Sequence, residues 1–312
     1  MVEQVKEKAR QLLESGEVEA VLGFEPATFP MTTAPAVFTS PEELDRLTVS
    51  PFNSLNIATY LQKLKGKKVA VVARGCECRA INVLCAENQL KREDLFIIGI
   101  PCKGAIDRNK VMRDYGGEVE SVELKDGKIL VNGELGLKEF DFEEYISDSC
   151  KNCLHPEPVT ADYVVEGEAR PKPEHPFAEV RRIESLTPDE KWEIFAAEMS
   201  KCIRCYACRQ VCPMCYCKDC FVDLNNPKWV EPGYDLSDIA TFHLIRMFHM
   251  AGRCVDCGAC ERACPEGVRL SLLTMKNTKD MLETYDFVSG MAPDVKPALG
   301  EFKPNDTEEF IL

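Results

Sequence analysis

Two cysteine runs near the C-terminus have the spacing most specific for chemistry. They place thiols at Cys202, Cys205, Cys208 and Cys212 before Pro213, and at Cys254, Cys257, Cys260 and Cys264 before Pro265. Both read CxxCxxCxxxCP, in which a short loop brings three thiolates to one iron–sulfur cube and the proline ends the loop. In two-cluster ferredoxins the fourth cysteine of each run binds the other run's cluster. The spacing therefore predicts two [4Fe–4S] clusters, cluster 1 on Cys202, Cys205, Cys208 and Cys264, and cluster 2 on Cys212, Cys254, Cys257 and Cys260.

A pair of structural zinc sites is the alternative for these runs, because zinc also accepts four cysteine ligands. Zinc sites usually combine two separated CxxC knuckles. Both runs here are instead complete copies of the ferredoxin spacing. The pattern favours iron–sulfur over a zinc-stapled scaffold.

Cysteines in the first half of the chain point to a third metal site. We expect it to be an iron–sulfur cluster, cluster 3, held by Cys76, Cys102, Cys150 and Cys153, with Cys78 in place of Cys76 if Cys76 points elsewhere. A helix N-terminus stabilises a thiolate. The alternative is a set of reduced cysteines buried as small apolar residues, which is our interpretation for Cys85.

The elements that would position cluster 3 form an α/β pattern. KVAVVA at 68–73 and LFIIGI at 95–100 read as buried parallel strands, with a helix from Cys76 to about Glu93 between them. Loops after such strands meet at the carboxyl edge of the sheet, where open α/β folds place their sites. We also expect a helix over 54–64 and a hairpin around Asp126–Gly127. A strand at 18–24 is predicted to be followed by irregular structure up to about Pro51.

Helices flank the two cysteine runs. TPDEKWEIFAAEMS at 187–200 begins with a cap and a proline, and DLSDIATFHLIRMFHMAG at 235–252 has apolar residues at helical spacing. Another helix is expected from Met275 to about Phe287, and Glu308–Leu312 reads as a docking or frayed end. The arrangement resembles the α-helical ferredoxins, the dicluster fold of iron–sulfur subunits of succinate dehydrogenase and heterodisulfide reductase.

The predicted fold class is an α/β N-terminal domain with a mainly parallel sheet, plus a C-terminal α-helical ferredoxin domain with two [4Fe–4S] clusters. The expected domains are residues 1–153 and 187–312. Residues 154–186 between them are rich in proline and charge, which is typical of a connector, either mobile or lying as a strap over the domain interface.

Composition narrows the class of protein further. The net charge of −14 argues against nucleic-acid binding, which needs a basic face. No apolar run reaches the roughly 18 residues of a membrane span, and the N-terminus reads as a charged helix, not a signal peptide. Seventeen cysteines without an export signal indicate metal sites in a reducing compartment. We therefore expect a cytoplasmic protein, and the cysteine density suggests an anaerobe.

Several other residues leave alternatives open. Cys215, Cys217 and Cys220 have no cluster in this assignment, and packing is favoured over tuning of a nearby cube or a further metal site. His243 and His249 read as ordinary helix residues or as proton gates. Gly75, in ARGC, follows a strand, but the GxGxxG spacing of a nucleotide or FAD site is missing.

The chain resembles the beta-subunit family of coenzyme F-420 hydrogenases and dehydrogenases, often labelled formate dehydrogenase beta subunit. The resemblance lies in VAVVARGCECRAINVL, IIGIPCKG, SDSCKNC and the two cysteine runs, and covers most of the chain between about residues 68 and 275. It implies electron transfer between a catalytic subunit and a flavin, deazaflavin or heterodisulfide-reductase partner. The cysteine runs follow the α/β part here, whereas they precede it in deazaflavin-reducing members, so no flavin-binding residues are carried over.

The predicted function is electron transfer by a non-catalytic subunit of a soluble anaerobic oxidoreductase complex of the formate dehydrogenase, hydrogenase or heterodisulfide reductase type. Cubes fully ligated by cysteine have no open position for substrate and pass single electrons. The alternative is a subunit that binds FAD and itself reduces a deazaflavin or nicotinamide coenzyme.

Overall fold

A five-stranded sheet organises the first half of the chain in the computed structural model, which describes residues 1–300. The predicted docking end at Glu308–Leu312 lies outside the described residues. The strands are β1 Ala20–Pro26, β2 Thr33–Phe38, β3 Val69–Arg74, β4 Leu95–Ile100, β5 Val119–Lys125, β6 Lys128–Gly133, β7 Lys138–Asp141 and β8 Tyr163–Val164. The helices are α1 Val2–Glu14, α2 Ala58–Leu61, α3 Gly75–Ala86, α4 Arg108–Tyr115, α5 Phe142–Tyr145, α6 Asp148–Lys151, α7 Ala178–Glu184, α8 Pro188–Met199, α9 Ala207–Gln210, α10 Leu236–Met250, α11 Ala259–Arg262 and α12 Ser271–Tyr285.

The sheet has the order β2-β1-β3-β4-β8. The β1–β3, β3–β4 and β4–β8 pairings are parallel, and the β1–β2 pairing is antiparallel. The sheet is therefore mixed, and the expected mainly parallel character holds for its centre. Arg74 pairs with Ile100, so β3 and β4 end at the same edge, as predicted.

The prediction of irregular structure after β1 was wrong for residues 33–38, which form β2. Pro35 lies within this strand, although proline cannot donate a ladder hydrogen bond. β2 lies at the edge of the sheet, where one side of the strand needs no such bond. An edge position thus removes the conflict.

The predicted hairpin is confirmed as β5–β6. Asp126 and Gly127 have φ values of 49° and 74°, the left-handed pair that a two-residue type I′ turn requires. β7 completes a three-stranded antiparallel sheet.

The helix after β3 begins earlier and ends earlier than expected. Arg74 is its N-cap, and Glu77 at the third helical position accepts hydrogen bonds from the Arg74 backbone and side chain. The helix ends at Ala86, and Asn88 just beyond it has a positive φ of 56°. The predicted helix over 54–64 is also shorter, because only 58–61 is α-helical and 62–64 is a 3-10 turn.

The core of the sheet is shared with the C-terminal half. Helix α1 covers one face, whereas α3 covers the other together with Met214, Met250 and Val255 from the cysteine-rich part. These three side chains are buried. The two halves are thus held together by a common apolar layer.

Helices carry the C-terminal half, as predicted. Thr187 and Glu190 form a capping box at the start of α8, and α10 lies within the predicted 235–252 segment. The predicted connector contains two elements, β8 in the sheet and α7 against α12. Among residues 1–300, no helix is both long and apolar enough to cross a bilayer. The cytoplasmic location stays a prediction.

Candidate metal centres

The cysteines predicted for cluster 1 lie together. One small cavity is lined by all four of them, Cys202, Cys205, Cys208 and Cys264, with Phe242 and His243 of α10 beside them. The structure thus brings the fourth cysteine of the second run to the first run, as cross-ligation requires. The ligand set itself stays a prediction.

The cysteines predicted for cluster 2 also converge. Cys254, Cys257 and Cys260 each lie close enough to Cys212 for its thiolate charge to act on their thiols. Asn56 of the α/β half lies beside Cys257. The fourth cysteine of the first run, Cys212, thus lies with the second run, just as Cys264 lies with the first.

The two runs have the same backbone conformation. Arg204 and Asp256, each two residues after the first cysteine, have φ values of 53° and 51°, and their N–H groups donate to Cys202 and Cys254 Sγ at 3.4 Å. Tyr206 and Gly258 are also left-handed, with φ values of 59° and 68°. Each is followed by one helical turn, α9 or α11. The sequence repeat is therefore a structural repeat.

The cysteines predicted for cluster 3 meet at the carboxyl edge of the sheet. Cys102 lies near both Cys76 and Cys150, and Cys153 lies near Cys150 and Cys102. Backbone N–H groups of Gly104 and Ala105 donate to Cys102 and Cys150 Sγ, both at 3.3 Å. The topology thus gathers all four residues, with amide donors aimed at two of the sulfurs.

Cys78 and Cys85 lie elsewhere. Cys78 is fully buried in the core between α3 and the sheet, and its thiol donates to Ala73 O at 3.8 Å. Cys85 packs against the same core. The structure therefore directs Cys76, not Cys78, towards the cluster 3 position.

The three groups of thiols follow one another through the molecule. Cys76 of cluster 3 lies within electrostatic range of Cys257 of cluster 2. Cys260 of cluster 2 likewise lies within electrostatic range of Cys208 of cluster 1. The three thiol groups therefore lie in the order 3, 2, 1, with the group predicted for cluster 2 in the middle.

Burial dominates the electrostatics of these thiols. It raises the pKa of Cys208 and of Cys153 to about 11 and raises that of Cys254 well above its ordinary value. Thiols in such surroundings stay protonated until a metal displaces the proton. Iron binding should therefore release protons from these sites.

Unpartnered buried atoms fit the presence of inorganic clusters. In residues 1–300, nine buried side-chain nitrogen and oxygen atoms have no hydrogen-bond partner, and six belong to Asn56, Arg79, Arg204, His243 and Arg246. All five residues adjoin the thiols described above. Since buried polar groups are nearly always paired, the sulfur atoms of clusters would supply acceptors for the donors among them. Within these residues, no three His, Cys, Asp or Glu side chains are placed to hold a single metal ion.

Three cysteines that belong to no predicted cluster are found in the wall of a separate cavity beside cluster 2. Cys215, Cys217 and Cys220 share it with Arg246 and His249. A hydrogen bond between Cys212 and Cys215 raises the pKa of Cys212 and lowers that of Cys215 to about 7. Cys215 thus touches a predicted ligand.

Comparison with known proteins agrees with both halves of this arrangement. Residues 66–181 match the family model for the C terminus of the coenzyme F420 hydrogenase/dehydrogenase beta subunit, and residues 198–268 match the model for a 4Fe-4S dicluster domain. Over residues 66–181 the chain is similar to the coenzyme F420 hydrogenase/dehydrogenase beta-subunit family. The resemblance seen in the sequence is confirmed, and [4Fe–4S] clusters are the cofactors of the dicluster domain.

Two curated relatives align with most of this chain. The F420-dependent formate dehydrogenase subunit beta of Methanocaldococcus jannaschii is 26% identical over 302 residues, covering 77% of this chain and 78% of that protein. The F420-dependent formate dehydrogenase 1 subunit beta of Methanococcus maripaludis is 25% identical over 310 residues, covering 78% of each. A solved chain of the F420-reducing [NiFe] hydrogenase complex from Methanosarcina barkeri has 17% identity and a TM-score of 0.39, covering 49% of this chain and 62% of that chain.

The sequence favoured a solvated Arg79 over a cation at the site, but Arg79 is buried beside the thiols. The sequence analysis missed two other polar residues there: Arg246 is buried, and Ser147 Oγ donates to Cys150 Sγ at 3.3 Å. Of these, only Arg246 has a sequence signal, a lone cation inside the apolar stretch FHLIRMFHM of α10.

Proposed function

We propose that this chain is the electron-transfer subunit of an oxidoreductase complex of the formate dehydrogenase, hydrogenase or heterodisulfide reductase type. It relays single electrons through three [4Fe–4S] clusters in the order 3, 2, 1. Its partners are a catalytic subunit and an electron acceptor. The F420-dependent formate dehydrogenases to which its relatives belong make a formate dehydrogenase the first partner to test.

One observation carries this proposal, the end-to-end succession of the three thiol groups. Cys76 and Cys257 are the neighbouring thiols between groups 3 and 2. Cys260 and Cys208 are the neighbouring thiols between groups 2 and 1. Cubes held entirely by cysteine exchange electrons without binding substrate. A linear series of them suits a protein that conducts electrons between two partners.

The test is a count of iron, acid-labile sulfide and flavin on one sample of the anaerobically purified chain. Three cubes predict about twelve iron atoms and twelve sulfides per chain, and two predict about eight. Zinc without sulfide would instead establish the scaffold alternative. Reduction with dithionite should produce paramagnetic clusters, and their absence would overturn the proposal.

A second candidate function rests on a cavity beside cluster 3. This cavity of about 400 Å³ lies at the carboxyl edge of the sheet and is lined by Arg74, Cys102, Lys103, Lys125 and Lys128 among others. Its size falls in the range of small-molecule sites, and its cations suit a phosphate-bearing coenzyme. In this candidate, the chain binds a flavin and itself reduces a deazaflavin or nicotinamide.

Flavin content separates the two functions. An isoalloxazine spectrum that stays with the protein through gel filtration, at close to one per chain, would favour the flavin-binding candidate. The double substitution Lys103→Glu and Lys128→Glu should then remove the flavin without changing the iron content.

A further inference from the structure

Two buried arginines lie in the two intervals between successive thiol groups, one between groups 3 and 2 and the other between groups 2 and 1. Arg79 of α3 is 4% exposed, and Arg246 of α10 is 3% exposed. A buried guanidinium needs nearby negative charge, because desolvation penalises an isolated ion by several kcal/mol or more. The surroundings of each arginine identify where that negative charge lies.

Arg79 lies between clusters 3 and 2. Once iron has displaced the thiol protons, its negatively charged neighbours are Cys153 and Cys76 from cluster 3 and Cys254 from cluster 2, together with the carboxylate of Asp256. Its Nε donates to Ser289 O at 2.9 Å and its Nη1 to Val255 O at 3.3 Å, while Nη2 has no partner. The backbone thus fixes the side chain and leaves the NH2 group of Nη2 free.

Arg246 lies between clusters 2 and 1. Cys260 and Cys212 of cluster 2 act on it from one side, and Cys208 of cluster 1 acts from the other. Its Nη2 donates to Cys208 O at 3.1 Å, while Nε and Nη1 have no partner. The arrangement at the second interval therefore repeats the arrangement at the first.

We infer that Arg79 and Arg246 set the reduction potentials of the clusters on either side of them, by holding one positive charge and free N–H donors in each interval. This inference rests on the proposed function. Net charge and hydrogen bonds to sulfur are two of the factors that fix the potential of an iron–sulfur cluster. A reduced cluster carries one more negative charge, so a neighbouring cation stabilises it and raises its potential.

The positions of Arg79 and Arg246 predict which cluster potentials each arginine affects. Arg79 adjoins clusters 3 and 2, whereas Arg246 adjoins clusters 2 and 1, so only cluster 2 is affected by both. Charge interactions weaken with distance and with solvent screening. Each arginine should therefore act strongly on its two neighbours and weakly on the remote cluster.

The experiment is a redox titration of the full-length chain monitored by electron paramagnetic resonance. Arg79→Gln should lower the potentials of clusters 3 and 2, and Arg246→Gln those of clusters 2 and 1. We expect at least a tenfold change in the ratio of oxidised to reduced cluster at a fixed potential, which is about 59 mV for one electron. Arg79→Lys and Arg246→Lys keep the charge and should restore most of the change. Arg92→Gln, which removes an arginine paired with Asp162 at 2.8 Å on the surface, is the control and should shift no cluster.

The outcomes separate this inference from the proposed function. Wild-type protein without iron and sulfide would remove the proposed function. Glutamine variants with full iron content and unchanged potentials, or with shifts only at the remote cluster, would overturn the inference alone. If a glutamine variant loses iron, the lysine variant becomes the test. Full iron with near wild-type potentials in that variant supports the role of the charge, and iron loss there as well would mark the arginine as structural and overturn the inference.

Discussion

Glu87 and Arg253 form a bidentate ion pair that links the two halves of the chain. Arg253 Nη2 donates to Glu87 Oε2 at 2.8 Å, and its Nε donates to Oε1. Tyr216 OH donates to the same Oε2 at 2.7 Å. Glu87 directly follows α3, and Arg253 directly precedes Cys254, so this contact fixes the start of the second cysteine run relative to the sheet.

Glu87→Ala should weaken the docking of the two halves. The change leaves a half-buried guanidinium and a tyrosine hydroxyl without their acceptor, which costs about 2–3 kcal/mol for hydrogen bonds to a charged group. We expect a lower denaturation midpoint and faster proteolysis between the halves. Glu14→Ala, at an exposed position in α1, should change neither, and equal behaviour of the two variants would contradict the role of Glu87.

Glu77→Ala should destabilise the edge of the sheet that carries cluster 3. Glu77 Oε1 accepts from Arg74 Nη2 at 2.7 Å, and both side chains are buried. Removing one partner of a buried pair costs about 3–5 kcal/mol. The measurements are the urea midpoint and the iron content, with the exposed Glu93→Ala as control. Wild-type values in the Glu77 variant would show that the pair is dispensable.

Cys264→Ser should damage cluster 1 and spare cluster 2. Cys264 belongs to the second run in the sequence, but it lines the cavity of the first run. Electron paramagnetic resonance of the reduced protein distinguishes the two clusters, and Cys85→Ser serves as the control. Selective loss of cluster 2 would contradict the cross-ligation.

Cys153→Ser should lower the iron content by about four atoms per chain if cluster 3 exists. Cys78→Ala should leave the iron content unchanged, because Cys78 points into the apolar core instead of towards Cys102. Inductively coupled plasma analysis of both variants measures the difference. Equal iron in the Cys153 variant and the wild type would remove cluster 3 from the relay.

Acid should loosen α7 from α12. Lys276 and Lys279 lie 2.8 and 3.0 Å from the Glu184 carboxylate, and their hydrogen bonds lower its pKa. A lowered folded-state pKa contributes stability that is present above the unfolded pKa and lost as the pH falls. The protection factors for amide hydrogen exchange in 178–184, which correct for the intrinsic pH dependence of exchange, should therefore fall below about pH 4.3, the ordinary pKa of glutamate. Glu184→Gln should lower these protection factors at neutral pH as well, and wild-type protection factors that do not change with pH would refute this contribution.

Several strands and helices that position the cysteines follow from local sequence. The apolar run at 95–100 forms β4 with the predicted bounds, because a strand buried on both faces needs continuous apolar side chains. The Thr187–Pro188–Glu190 combination fixes the start of α8 through its own capping bonds. Such features depend on neighbours in the chain, so the sequence alone reveals them.

By itself, the sequence determined that two cysteine runs share one spacing, and that the strand ends carry Cys76 and Cys102. Only the tertiary structure decided that Cys76, not Cys78, faces the other thiols, because the direction of a side chain on α3 depends on how the helix packs on the sheet. It also decided the order of the thiol groups and the placement of Arg79 and Arg246 between them. Contacts between residues more than a hundred positions apart, such as Arg79 with Val255, arise from packing and leave no local pattern in the chain.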